Sequence, residues 1–205
     1  MRIIAGRFRG HRLEVPETTR VRPSKDRVRE AIFNMLARTV IDVDVLDLFA
    51  GSGALGLEAI SRGAAGCTFV ERSPKVMRVI QNNARTLDVV DQCQFVLDDV
   101  VTFLRKPVPA SAKGRYSLVF LDPPYDDGFP QDVLGQLARW EGLAHPALLV
   151  VESAKRFSPR LQESEYIEAK LRVMRRRTSG SAVATILKHE GEGDVCFGET
   201  GDVPR

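Results

Sequence analysis

Val43-Asp44-Val45-Leu46-Asp47-Leu48-Phe49-Ala50-Gly51-Ser52-Gly53-Ala54-Leu55-Gly56 decides how the chain is organised. Its first half is an apolar run that reads as a buried strand. Its second half is a glycine-rich turn that enters a helix over Leu57–Arg62. The same alternation continues downstream. Strands are predicted at Gly66–Glu71, Gln94–Leu97 and Ser117–Phe120, and again at Ala147–Val151. Helices are predicted from Pro74 to about Leu87, from Asp99 to Leu104 and near Gln131–Arg139. Two late strands, near Tyr166–Met174 and Ala182–Lys188, read as a closing hairpin. Repeated βα units imply an α/β fold with a mixed, mostly parallel seven-stranded sheet and helices on both faces. Ligands in such sheets bind at the carboxyl ends of the strands. Gly51, Glu71, Asp99 and Asp122 all stand at predicted strand ends.

The strand over Ser117–Phe120 leads through Leu121 to Asp122-Pro123-Pro124-Tyr125. Neither proline carries an N–H, so the sheet ladder stops there. Pro124 biases Pro123 towards an extended conformation. In such a stiff turn, the Asp122 carboxylate and the Pro123 carbonyl can both accept from one NH2 group. Tyr125 can lie flat against the ring that bears it. A nucleobase with an exocyclic amine fits that description. Taken alone, the same four residues also read as a simple strand-ending turn.

Gly51-x-Gly53-x-x-Gly56, with Glu71 downstream, matches the fingerprint of dinucleotide-binding enzymes. An NAD oxidoreductase is therefore a rival reading. Asp47 counts against it, because a carboxylate at the strand end sits badly beside a pyrophosphate and well beside an ammonium or sulfonium. S-adenosylmethionine meets the demands of the rim. The glycines admit its methionine portion, Asp47 balances its positive charge, Glu71 accepts from the ribose hydroxyls, and Asp99 accepts from the adenine amine. Phe49, Ser52, Arg72 and Val100, in the same turns, complete the expected cofactor set with Gly51 and Gly53. The plain alternatives are a helix cap for Asp99 and a surface ion pair with Arg72 or Lys75 for Glu71.

Residues 1–22 read as a basic arm, a β-hairpin from Arg2-Ile3-Ile4-Ala5 and His11-Arg12-Leu13-Glu14-Val15. Arg2, Arg7, Arg9 and Arg12 precede the first acid, Glu14. Phe8 lies among them, a mixture suited to stacking on bases while cations meet phosphate. Ser24 is a candidate N-cap for the next helix, on which Val28, Ala31, Ile32, Met35 and Leu36 recur at helical spacing. Arg22, Lys25 and Arg29 are expected along the route of a nucleic acid to the site. Residues 23–190 then form the main domain, and 191–205 a glycine- and acid-rich flexible tail.

With 205 residues and 43% hydrophobic content, the chain suits one domain with a real core. The formal charge of +3 is modest but concentrated at the start. Three widely spaced cysteines and three histidines show no metal-ligand spacing, so no metal is expected. Nothing in the sequence reads as a signal peptide or a membrane span, and a cytoplasmic monomer with reduced thiols is expected.

The Asp-Pro-Pro-Tyr turn together with Asp47-Leu-Phe-Ala-Gly-Ser-Gly resembles the nucleic-acid amino-methyltransferases. More closely, the chain resembles the RsmD family, bacterial enzymes acting on N2 of a guanine in 16S ribosomal RNA. The resemblance runs from Arg2 to about Leu187. It includes Arg2-Ile-Ile-Ala-Gly, Arg22-Pro23, Arg29-Glu30-Ala31-Ile32-Phe33-Asn34, Leu55 to Ala64, Val70-Glu71 and Asn83. Ser24, Asp98 and Thr178-Ser179-Gly180 depart from the usual pattern. The resemblance implies a Rossmann-like class I S-adenosylmethionine-dependent methyltransferase fold. It implies Asp122, Pro123, Pro124 and Tyr125 as the catalytic turn. The implied partner is ribosomal RNA, within an assembled or assembling small subunit. A DNA amino-methyltransferase using the same turn is the alternative.

Overall fold

The structure is a computed structural model that describes residues 1–16, 23–123, 131–154, 170–180 and 182–190. Arg22, Pro124, Tyr125 and the tail from 191 lie outside the described residues, as does the side chain of Lys25.

Seven strands form one sheet in the order β3-β2-β1-β4-β5-β7-β6. They are β1 (Asp44–Leu48), β2 (Gly66–Glu71), β3 (Cys93–Leu97), β4 (Tyr116–Leu121), β5 (Leu143–Ala154), β6 (Leu171–Ser179) and β7 (Ala182–His189). The first five run parallel, and β7 pairs antiparallel with both β5 and β6. This is the Rossmann-like class I methyltransferase architecture. The helices are α1 (Pro23–Leu36), α2 (Ala54–Ser61), α3 (Pro74–Thr86), α4 (Val100–Arg105) and α5 (Gln131–Ala138). Both faces of the central strands are buried, which is why these strands read as continuous apolar runs. On one face Phe33, Phe69, Ile80 and Phe120 pack beneath α1, α2 and α3. On the other, Trp140 stacks near Tyr116 at 5.7 Å beside Leu134 and Leu137 of α5.

Three expectations need correction. α1 begins at Pro23, so Ser24 is its second residue and not its N-cap; proline suits the first helical position, where no N–H is needed. β5 runs from Leu143, longer than the apolar core Ala147–Val151, because pairing with β4 and β7 extends it. β6 spans Leu171–Ser179, running beyond the expected end at Met174, while residues 166–169 lie outside the described residues. Pairing with β7 holds its arginines in the strand against their weak local preference.

Residues 1–13 form a hairpin-like arm closed by an Arg2–Arg12 bridge. Ile3 N–H donates to His11 O at 3.0 Å, and Leu13 N–H to Met1 O at 3.0 Å. The arm is docked on the body. Ile3 and Leu13 are buried in the core beneath α1 and α2. The Glu58 carboxylate accepts from Ile4 N–H at 2.7 Å and Ala5 N–H at 3.0 Å. Gly6 has φ +84°, and a Cβ built there would sit 1.9 Å from Ser61 O, so only glycine lets the arm approach α2 this closely.

Candidate active site

β1, β2, β3 and β4 all end at one rim, and a cavity of about 430 Å³ opens there. Asp47, Glu71, Asp98, Asp99, Asp122 and Glu152 line it, against the two arginines Arg29 and Arg72. The balance of charge is strongly negative. A cleft of this kind favours a cationic ligand.

Each carboxylate is positioned by its strand end. Asp47 is buried, and its Oδ2 accepts from Gly56 N–H at 3.0 Å. Burial pushes the Asp47 carboxyl well above the usual carboxylate range; the Gly56 hydrogen bond opposes this, while the charges of Asp122 and Glu71 add to it. Glu71 is held at both oxygens. Oε2 accepts from Gly51 N–H at 3.1 Å, and Oε1 from Ser73 N–H at 2.8 Å. It thereby ties the glycine turn to the entry of α3, and among the described residues it forms no ion pair with Arg72 or Lys75. Asp99 is the N-cap of α4: its Oδ1 accepts from Val101 N–H at 3.0 Å and Thr102 N–H at 3.3 Å. The cap occupies that oxygen, and among the described residues no hydrogen bond engages Oδ2, so capping and ligand binding are compatible. Phe49 turns the chain at φ +61°, an unfavourable conformation for a bulky residue that concentrates at functional sites.

Residues 1–188 match the family described as Conserved hypothetical protein 95. The chain is 42% identical over 154 residues to Ribosomal RNA small subunit methyltransferase D of Escherichia coli (strain K12), covering 75% of this chain and 74% of that one. The chain belongs to the RsmD family. A solved structure described as "Putative methyltransferase yhhF from Escherichia coli" superposes with a TM-score of 0.78 at 33% identity, covering 94% of this chain and 99% of that one. A more distant structure described as "A putative sam-dependent methyltransferase from Streptococcus mutans" shares the fold, with a TM-score of 0.64 at 14% identity over 82% of this chain and 49% of that one.

In this RsmD-family chain, most of the cofactor residues expected from sequence line the one cavity: Asp47, Phe49, Gly51, Ser52, Glu71, Arg72, Asp99 and Val100. Gly53 does not. A Cβ on it would meet Ile80 Cγ2 at 2.8 Å, so the absence of a side chain at Gly53 lets α2 close onto the core. Asp122 and Pro123 also line the cavity, while Pro124 and Tyr125 lie outside the described residues.

The basic residues divide differently. Arg29, expected on a nucleic-acid path, is 4% exposed. Its Nη2 donates to Arg2 O at 2.5 Å and to Asp26 Oδ1 at 3.1 Å, and its Nε lies 3.7 Å from Glu58 Oε2. Arg29 is a buried brace between arm and body that also lines the cavity, and not an exposed cation on a nucleic-acid path. The tip of the arm is held at the far edge of the sheet. Arg7 N–H donates to Ser61 O at 2.8 Å, at the end of α2, and its guanidinium meets Gln92 just before β3. The Arg7 guanidinium also covers the Phe8 ring at 4.5 Å. Arg7, Phe8 and Arg9 thus stand near the start of β3, at the end of the sheet away from the rim where β4 delivers Asp122. Arg2 and Arg12 pair with each other across the arm and are exposed.

Met1 and Glu152 are among the cavity residues that were not foreseen. Met1 reaches the rim, where Ser52 Oγ lies 3.6 Å from its Sδ. Glu152, 6% exposed, sits near the end of β5. Its signal was the same as for Asp122, a carboxylate where an apolar strand leaves the core.

Proposed function

We propose that this protein transfers a methyl group from S-adenosylmethionine to the exocyclic N2 amine of a guanine in small-subunit ribosomal RNA. The observation that carries this reading is the single rim on which Asp47, Glu71, Asp99 and Asp122 line one cavity. The name of the Escherichia coli relative supports ribosomal RNA of the small subunit as the substrate class.

The donor set suits the cofactor. S-adenosylmethionine bears a sulfonium and an ammonium, and supplies an electrophilic methyl group when bound. Buried Asp47 gains a counter-charge from such a ligand. Glu71, already fixed by Gly51 and Ser73, is held ready to accept from ribose hydroxyls. NAD fits less well. The amide of Gly56, at the start of α2 where a dinucleotide's pyrophosphate would seek donors, is already given to Asp47. Six carboxylates around the cavity would oppose a pyrophosphate's charge.

At the acceptor, the guanine amine is a weak nucleophile because its lone pair is delocalised into the ring. The Asp122 carboxylate and the Pro123 carbonyl accept its two N–H bonds and aim the lone pair at the methyl carbon. Positioning and electrostatics lower the barrier. The N–C bond forms as the S–C bond breaks. The nitrogen then carries positive charge and releases a proton to Asp122 or to water. Tyr125 stacks on a base turned out of its helix or loop.

Titration calorimetry combined with transfer of labelled methyl tests the reading. S-adenosylmethionine and its demethylated product bind, NAD does not, and label enters small-subunit RNA in preference to DNA. Tight NAD binding without response to either methyl-donor form would overturn the cofactor reading. Preferential labelling of DNA would overturn the substrate.

A further inference from the structure

β6 is the outermost strand of the sheet and is exposed over almost its whole length. Arg172, Arg175, Arg176 and Arg177 stand on it. Val173 and Met174 between them are 43% and 45% exposed. Register with β7 sorts these side chains. Arg172 lies opposite Lys188, Arg175 opposite Ile186 and Arg177 opposite Ala184. Cross-strand partners share a face, and Ile186 and Ala184 belong to the core beneath α1. Arg175 Nη1 donates to Met35 O of α1 at 3.0 Å, which confirms the side. Arg172, Arg175 and Arg177 therefore form one row of cations, with exposed Arg38 just beyond α1. Arg176 faces the other way, its Nε 3.4 Å from Thr185 Oγ1. Among the described residues the counter-charge is slight: Glu190 lies 3.6 Å from Arg172 and is shared with Lys188.

The sheet register ties this row to the active site. Leu121 pairs with Val151, Val151 with Thr185, and Thr185 with Arg176. β6 runs parallel to β4, so Asp122 and Arg177 follow their row neighbours towards the same rim. They are three strand spacings apart, roughly 14 Å. No comparable link joins the rim to the arm tip at Arg7–Arg9.

We propose that β6 binds the sugar–phosphate backbone of the RNA beside the modified nucleotide, with Arg172, Arg175 and Arg177 meeting phosphates and Met174 giving an apolar contact. This rests on the ribosomal RNA reading above. The competing use of the arginines is to guard an open strand edge against pairing with another chain.

The test compares the full-length protein with Arg172→Gln/Arg177→Gln and with Arg172→Lys/Arg177→Lys. Arg175 is left in place because it braces α1. Affinity for small-subunit RNA is measured across a salt series, with kcat/KM, cofactor affinity, Tm and oligomeric state alongside. The glutamine pair is expected to bind RNA about tenfold more weakly, and its logarithmic salt slope to shrink by roughly 1.4–1.8, at 0.7–0.9 per lost phosphate contact. Cofactor affinity and Tm stay as in the wild type, and the lysine pair keeps most of the slope. An unchanged slope and RNA affinity in the glutamine pair overturns the proposal, whether the variant stays monomeric or begins to self-associate. Failure of the wild type to methylate any small-subunit RNA would instead overturn the underlying functional reading.

Discussion

Glu58 Oε2 lies 3.7 Å from Arg29 Nε, with the two side chains 0% and 4% exposed. Around this buried pair converge the backbone N–H groups of Ile4 and Ala5, the carbonyl of Arg2 and the Arg62 guanidinium, whose Nε is 2.7 Å from Glu58 Oε1. One carboxylate thus fastens the arm to α1 and α2. Met1, at the start of that arm, reaches the cavity.

Glu58→Ala leaves two backbone amides and the Arg62 Nε without their acceptor, and the buried Arg29 guanidinium without the counter-charge of Glu58. Removing one partner of a buried pair costs about 3–5 kcal/mol. Urea denaturation is expected to show a loss of that size. Cofactor affinity falls as well, because the arm carries Met1. A variant of wild-type stability would mean that the arm contributes nothing to the fold.

Gly6→Ala tests the same docking from the other side. The added Cβ would overlap Ser61 O, so the arm must lift from α2. Limited proteolysis is expected to cut within residues 1–16 faster than in the wild type, while the sheet core stays protected. Equal cleavage rates would contradict the docking.

Asp47 gives a pH signature. Its folded-state pKa is raised, chiefly by burial. The folded state therefore binds the proton more readily than the unfolded state. The contribution to stability is fully present below the unfolded carboxylate range and is lost as pH rises towards the folded value. Asp47→Asn, which keeps an oxygen for Gly56 N–H, is expected to raise apo stability at neutral pH and flatten its pH dependence. The same change weakens binding of the cationic cofactor. Thermal melts from pH 4 to 8 with calorimetry at pH 7 check both signs, and parallel loss of stability and affinity would contradict them.

Glu71 and Asp122 separate binding from chemistry. Glu71→Ala removes acceptors for two turns and for the cofactor ribose, weakening cofactor binding by about 1–3 kcal/mol. Asp122→Ala changes cofactor affinity much less, yet lowers turnover by about 100-fold, the scale of losing one aligned group at a reacting centre. Single-turnover rates and calorimetry on both variants distinguish the roles. Near-normal turnover in Asp122→Ala would show its role to be misassigned.

The rim was legible because each of its residues follows an apolar strand, and parallel topology brings strand ends together whatever the packing details. Asp47, Glu71, Asp99 and Asp122 needed only that rule. The arm was legible as a hairpin but its docking was not. Glu58 occupies a helix position where a carboxylate ordinarily faces water, and nothing local reveals that three segments converge on it. Arg29 read as a surface cation for the same reason. Gly53 matched a fingerprint position, but the lack of room beside Ile80 for a side chain there depends on how α2 and α3 meet. The β6 arginines suppressed the strand reading after Met174. Their approach to the rim follows from the pairing order β5-β7-β6 and the irregularity between Val173 and Arg175, both long-range features.

Nucleoside analysis of the reaction product tests the central claim most directly. Small-subunit RNA from an unmodified source is incubated with the protein and labelled S-adenosylmethionine, digested to nucleosides and resolved by mass spectrometry. The account predicts label in N2-methylguanosine, abolished or nearly so by Asp122→Ala. Label in another nucleoside, or undiminished label with that variant, would contradict it.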